Sequence, residues 1–307
     1  MDQMIGFLRE EGVSDGILSD VEAFRKFYKL SPGMEKRIPA SQYNYYGTDV
    51  WEEALSTILA GENLLLSGPK ATGKNVLADG LSRAFGRPQW DISLYINADA
   101  ASLIGTDTFK DGEVSLRKGP ILKCAEEGGF GVLDEINMAK NESLAVLHAA
   151  LDFRRVIDVP GYDRIELSEA TRFIGTMNYG YAGTRELNEA LASRFMIIQM
   201  PVISEDNLKR LIASKFPELK DDYTAQFAEL FTEIRKKCEG GEISSKSLDL
   251  RGLLSAIEMM KRGLEVDKAL SLGIVNKCFD AYERQLVSDM IQVRFPGNLD
   301  RGMVFKA

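Results

Sequence analysis

Residues 64–75 read LLLSGPKATGKN, and the fold of the chain turns on this stretch. The short apolar run Leu64–Leu66 leads straight into SGPKATGKN, and a helical stretch then continues to about Phe85, giving the order strand, glycine loop, helix. Gly68 to Lys74, G-P-K-A-T-G-K, fits the G-x-x-x-x-G-K phosphate loop in the setting that its chemistry requires. Glycines at both ends let backbone N–H groups turn inward around phosphate oxygens, while the helix dipole and Lys74 add positive charge. A triphosphate is the natural ligand. Its cradle would be Gly68, Pro69, Lys70, Ala71, Thr72, Gly73 and Lys74, followed by Asn75 and Val76. One position departs from the pattern: Asn75 stands where a Ser or Thr hydroxyl would meet Mg2+, although its amide oxygen is still a hard ligand.

Outward from the loop, a helix-like WEEALSTILAG precedes the strand. Alternation over Trp90, Ile92, Leu94 and Ile96 predicts a second strand, and FGVL at Phe130–Leu133 a third, too apolar to be half exposed. Two more, RFIGTM around Ile174 and FMIIQM around Ile198, alternate with helical segments, so an α/β sandwich on a parallel sheet is expected. After Pro201 apolar residues recur at helical spacing, as in Tyr223, Phe227, Leu230, Phe231 and Ile234. The expected organisation is an N-terminal helical extension over 1–45, an α/β nucleotide-binding domain over 46–203 and an all-helical lid over 204–307. Within the extension, a helix is expected from about Asp20 to Leu30. TFKDGEVSL (108–116), with Asp111-Gly112, and RRVIDVPGYDRIEL (154–167), with Pro160-Gly161, read as inserted hairpins.

The FGVL strand ends in Asp134-Glu135, at the carboxyl edge where α/β sheets hold their ligands. Asp134 there can hold Mg2+, together with Asn75, and Glu135 can polarise an attacking water. RFIGTM ends at Asn178, a short polar group able to orient that water, and Arg194 follows in NEALASRF. Phosphoryl transfer relies on positioning and on cations that offset developing charge, so Arg194 is a candidate finger.

Composition narrows the alternatives. Of 307 residues 45% are apolar and 27% charged; 38 Lys and Arg against 46 Asp and Glu leave a net charge of −8. That balance, with no basic block, argues against a nucleic-acid-gripping protein. One histidine, His148, excludes any site that needs two imidazoles, and it reads as a packing or interface residue rather than an acid–base catalyst. Cys124, Cys238 and Cys278 form no C-x-x-C pair, so neither zinc nor a disulfide framework is indicated, and they read as small buried groups. Tyr43, Tyr45 and Tyr46 either line an adenine pocket or pack. With neither an apolar leader nor a run approaching eighteen apolar residues, no membrane partner and a cytoplasmic location are expected.

Together, GPKATGKN, GVLDEIN, IGTMNYGYAGTRELNEALASRF and SLDLRGLL resemble the AAA+ ATPases of the MoxR type, especially the CbbQ/NorQ branch, with the gas-vesicle GvpN proteins nearby. The resemblance covers residues 45–300. It implies a P-loop three-layer α/β domain with a helical lid, Walker A at Gly68–Asn75, and Walker B Asp134 and Glu135 as magnesium and water residues. It further implies Asn178 as sensor 1, Arg194 as a finger on a neighbouring subunit's nucleotide, and Arg251 as sensor 2. ATP and Mg2+ are the implied cofactors. A hexameric ring acting on a protein client, with a von Willebrand factor A domain partner, is the implied setting, and the hairpins become the helix-2 insert and the one before sensor 1. Phe109 and Tyr162 are then the expected client contacts. Asn75 leaves a second reading open, a nucleotide-gated scaffold with little hydrolysis; a nucleic-acid motor is a third.

Overall fold

A computed structural model describes residues 3–40, 43–110, 112–159, 161–179, 186–295 and 299–306. The chain forms two compact units, Met1–Pro201 and Val202–Ala307. In the first, the strands are β1 (Leu64–Ser67), β2 (Gln89–Ser93), β3 (Gly105–Lys110), β4 (Glu113–Lys118), β5 (Phe130–Asp134), β6 (Val156–Ile157), β7 (Ile165–Glu166), β8 (Arg172–Met177) and β9 (Met196–Gln199). Side chains alternate across a strand, and here both faces are apolar. Leu64, Leu66, Phe130, Val132 and Ile174 enter one core cluster, while Leu65, Leu133 and Phe173 enter another. Such strands must be covered on both sides, which gives three layers around a parallel sheet ordered β2-β5-β8-β1-β9.

The five strands read from the sequence are therefore present, with one shortened. β2 stops at Ser93, because its neighbour β5 ends at Asp134 opposite it; Leu94 still donates its N–H to Asp134 O (2.9 Å), but Ile96 is exposed.

Four helices, α1 (Gln3–Glu10), α2 (Asp15–Phe27), α3 (Thr48–Leu59) and α4 (Lys74–Phe85), share the first cluster. The expected helix from Asp20 begins earlier, at Asp15, and α1 has no counterpart in the sequence reading. Residues set apart as an extension are built into the α/β body. Met4, Ile5, Leu8, Leu18, Val21 and Phe24 are buried with Trp51, Leu81 and Phe85, and the Phe24 and Phe85 rings meet edge-on at 5.0 Å. Arg25 Nη2 also donates to Arg83 O at 2.5 Å.

Both inserted hairpins form. β3 and β4 pair antiparallel from Gly105↔Lys118 to Lys110↔Glu113, longer than 108–116, with Gly112 at φ 88° in the turn; Asp111 lies outside the described residues. β6 and β7 make only two pairs, Val156↔Glu166 and Ile157↔Ile165, and Pro160 also lies outside the described residues.

The second unit is helical, with helices Glu205–Lys215, Asp221–Glu239, Leu250–Lys261, Val266–Gly273, Ala281–Arg294 and Arg301–Val304, and an isolated bridge Leu219↔Phe305. Arg294 ties two of them together through Glu229 (2.7 Å) and Glu233 (2.9 Å), and Phe295 stacks on Phe227 at 4.7 Å. Among the described residues no helix is long and apolar enough to cross a membrane.

Candidate functional site

Three adjacent strands, β5, β8 and β1, bring their carboxyl ends to one edge of the sheet, and each delivers part of the site. From β1 the chain enters the loop. Ala71 (φ 62°) and Gly73 (φ 82°) take left-handed conformations that curl the backbone, and α4 starts at Lys74 with no side-chain cap. The first N–H groups of α4 thus lack helical partners, which together with the helix dipole makes a cradle for an anion. Both loop glycines are tightly placed: a Cβ on Gly68 would lie 3.0 Å from Met200, and one on Gly73, whose positive φ already favours glycine, would lie 3.1 Å from the Tyr45 ring.

Lys74 is buried, at 7% exposure. Its Nζ donates to Gly68 O (2.9 Å), Pro69 O (2.7 Å) and Thr72 Oγ1 (3.3 Å), so the ammonium sits inside the loop it follows. Burial pulls its pKa down to about 8, against the pull of Asp134 and Glu135, which favour the charged form. Lys70 and Asn75 are exposed, and Val76 is half-buried.

The acidic pair closes the other side. Asn75 Nδ2 donates to Asp134 Oδ1 (3.2 Å), and Thr176 Oγ1 donates to the same oxygen (2.6 Å). Glu135 takes a left-handed conformation (φ 55°, ψ 47°), which costs a non-glycine residue about 1–3 kcal/mol and is of the kind that clusters at active sites. Its N–H donates to Thr176 Oγ1 (3.1 Å), and its Oε1 accepts from Asn178 Nδ2 (3.4 Å). Asn137 Nδ2 in turn holds Asn178 O at 2.7 Å. Lys74, Asn75, Asp134, Glu135 and Asn178, picked out of the sequence one by one, are therefore gathered by the fold. Thr176 was missed; the signal was a hydroxyl in a buried strand, two residues before Asn178.

Arg194 is held on its own chain. Its Nε donates to His148 O (3.1 Å), Nη1 to Ala190 O, and Nη2 pairs with Asp152 (3.4 Å). Asp152 also receives Arg154 (2.7 Å), whose hydrogen bonds hold its carboxyl down to about 2. His148 is half-buried; burial and the neighbouring Arg194 lower its pKa. Arg251 lies exposed in the first turn of Leu250–Lys261, in the second unit. Tyr45 is buried, edge-on to Trp51, whose Nε1 donates to Tyr45 O (2.9 Å). Cys124 and Cys278 are buried and Cys238 is half-buried. On the hairpins Phe109 is 77% exposed. Tyr162, by contrast, is half-buried and donates its hydroxyl to Asp107 (2.7 Å), so it links the two hairpins.

Residues 63–195, which carry every element of this edge, match the family described as AAA domain (dynein-related subfamily). Over 271 residues the chain is 30% identical to Uncharacterized protein YojN of Bacillus subtilis (strain 168), covering 87% of this chain and 89% of that one. Uncharacterized protein SH1500 of Staphylococcus haemolyticus is 31% identical, over 83% of this chain and 99% of its own. Uncharacterized protein SSP1341 of Staphylococcus saprophyticus is 32% identical, over 82% and 98%. With a phosphate loop, an acidic strand end and a third polar strand end on one parallel sheet, and a matching segment that contains all three, the chain belongs to the AAA+ ATPases as a protein with an AAA domain of the dynein-related subfamily.

Proposed function

We propose that the chain is a MoxR-type AAA+ motor that binds and hydrolyses ATP with Mg2+ and remodels a protein client as a hexameric ring in the cytoplasm. The observation that carries this reading is the run of contacts from Asn75 and Thr176 through Asp134 and Glu135 to Asn178, beside a buried cationic lysine in an uncapped helix start. Hard oxygen donors, Asp134 and the Asn75 amide, fit magnesium. The ion, when bound, supplies positive charge that offsets phosphate charge. Lys74 and the loop N–H groups bind the phosphates, Glu135 takes a proton from the attacking water, and Asn178 fixes the Glu135 carboxylate.

Arg194 is proposed to act on a neighbouring subunit's nucleotide, and Arg251 to sense nucleotide from the lid. A trans-acting arginine needs a head-to-tail interface, and such interfaces close into rings where the rotation permits. The exposed Phe109 at the hairpin end is the proposed client contact, and Tyr162 transmits movement between hairpins through Asp107. A von Willebrand factor A domain protein is the proposed adaptor.

One contact favours a second reading. Asn75 reaches across to Asp134 where a hydroxyl would be shorter, and a site closed in this way suits a nucleotide-gated scaffold that turns over slowly. Steady-state ATPase measured against protein concentration separates the two. The motor gives turnover that rises cooperatively, and a mixture of Arg194→Ala with Glu135→Gln hydrolyses faster than either variant alone. Binding without turnover at any concentration supports the scaffold.

A further inference from the structure

Thr176 is 1% exposed, near the end of β8 and opposite Leu66 of β1, and every direction of its hydroxyl that matters to the site is in use. A hydroxyl has one proton to give and two lone pairs to offer. Thr176 gives its proton to Asp134 Oδ1 (2.6 Å) and accepts the Glu135 N–H (3.1 Å). The first bond is short and charge-assisted. The second holds the peptide of the one residue of the acidic pair whose backbone is left-handed. Asn75 adds its donor to the same Oδ1, so the carboxylate's rotation is fixed from two sides and its Oδ2 keeps no hydrogen bond among the described residues.

We propose that Thr176 is a positioning residue: its single hydroxyl sets both the carboxylate of Asp134 toward the metal and the strained backbone that aims Glu135 at Asn178. The inference rests on the reading of this edge as a metal–nucleotide site. Loss of the hydroxyl frees Asp134 to rotate and removes the partner that offsets the cost of the Glu135 conformation. Partners that orient a ligating carboxylate affect metal affinity by about 10–100-fold when removed. Phosphate binding, which belongs to Lys74 and the loop N–H groups, stays as it was.

The full chain is tested as wild type, Thr176→Val and Thr176→Ser. A fluorescent ATP analogue titrated in EDTA reads metal-free nucleotide binding, and Mn2+ bound to the complex with a non-hydrolysable ATP analogue, followed by electron paramagnetic resonance, reads the metal site. The expected result is metal-free nucleotide affinity unchanged in both variants, an Mn2+ dissociation constant raised about 10–100-fold in Thr176→Val, and one within about threefold of wild type in Thr176→Ser. In turnover, Thr176→Val lowers kcat and leaves KM for ATP nearly unchanged at saturating Mg2+. Should Thr176→Val not fold, Thr176→Ala removes the hydroxyl without putting a methyl group in its place and is used instead. Mn2+ affinity equal to wild type in the hydroxyl-free variant overturns the inference, as does equal weakening in the Ser variant or a parallel loss of metal-free nucleotide binding. If wild type binds nucleotide but no Mn2+, the metal-site reading itself fails; if it binds neither, the phosphate-site reading fails as well.

Discussion

Nucleotide affinity is expected to fall as pH rises through 8, because the lysine that receives the phosphates is already close to losing its proton. Lys74 starts from the ordinary value of 10.5 and is brought to about 8 by burial. Bound phosphates place negative charge beside the ammonium and hold it protonated, so binding above pH 8 takes up a proton. With a free-state value of about 8, the protonated fraction goes from about 0.9 at pH 7 to about 0.1 at pH 9, a roughly tenfold loss of affinity or about 1.4 kcal/mol. Isothermal titration calorimetry at pH 9 in two buffers of different ionisation enthalpy should register uptake of nearly one proton. Lys74→Arg, which stays charged, isolates any contribution from the phosphates' own titration. The nucleotide-free protein shows the opposite side of the linkage. Its folded-state value lies below that of the unfolded chain, so between about pH 8 and 10.5 the unfolded chain binds more protons, and this group adds stability as pH rises through that window. A flat affinity from pH 7 to 9, with no proton uptake at pH 9, would refute the reasoning.

Two further outcomes follow from packing and exposure. Leu8→Ala, although in the first helix, should destabilise the α/β unit by about 2–5 kcal/mol in a denaturant titration, since Leu8 is fully buried in the cluster that holds Leu64 and Leu66; a surface-like cost would mean the N-terminal helices are an appendage. Phe109→Ala should leave stability within about 0.5 kcal/mol while lowering client remodelling, because that ring touches mostly solvent; unchanged remodelling makes the hairpin decoration.

The loop and the sheet were legible because their signals are local. Gly68 and Gly73, five residues apart, lead into Lys74, and apolar runs at 64–66 and 130–133 announce strands buried on both faces. Asp134-Glu135 was legible because it closes such a run, and Asn178 because it follows the strand RFIGTM. What escaped depends on partners distant in sequence. α1 is short, and its Met4, Ile5 and Leu8 acquire meaning only from α2 and α4, against which the helix packs. Thr176 looks like an ordinary strand residue until β5 and β8 lie side by side and bring Asp134, 42 residues earlier, within 2.6 Å. The cis contacts of Arg194 with Asp152 and His148 and the link from Tyr162 to Asp107 likewise span 42 to 55 residues, beyond any periodicity.

The central claim is that this edge binds ATP through Lys74 and cleaves it through Glu135. Its most direct test is the fate of radiolabelled ATP on wild type, Lys74→Ala and Glu135→Gln, separated from free nucleotide and analysed for ATP and ADP. Wild type should yield ADP, Glu135→Gln should retain intact ATP, and Lys74→Ala should hold no nucleotide. Retained ATP on Lys74→Ala, or ADP formed on Glu135→Gln as fast as on wild type, would contradict it.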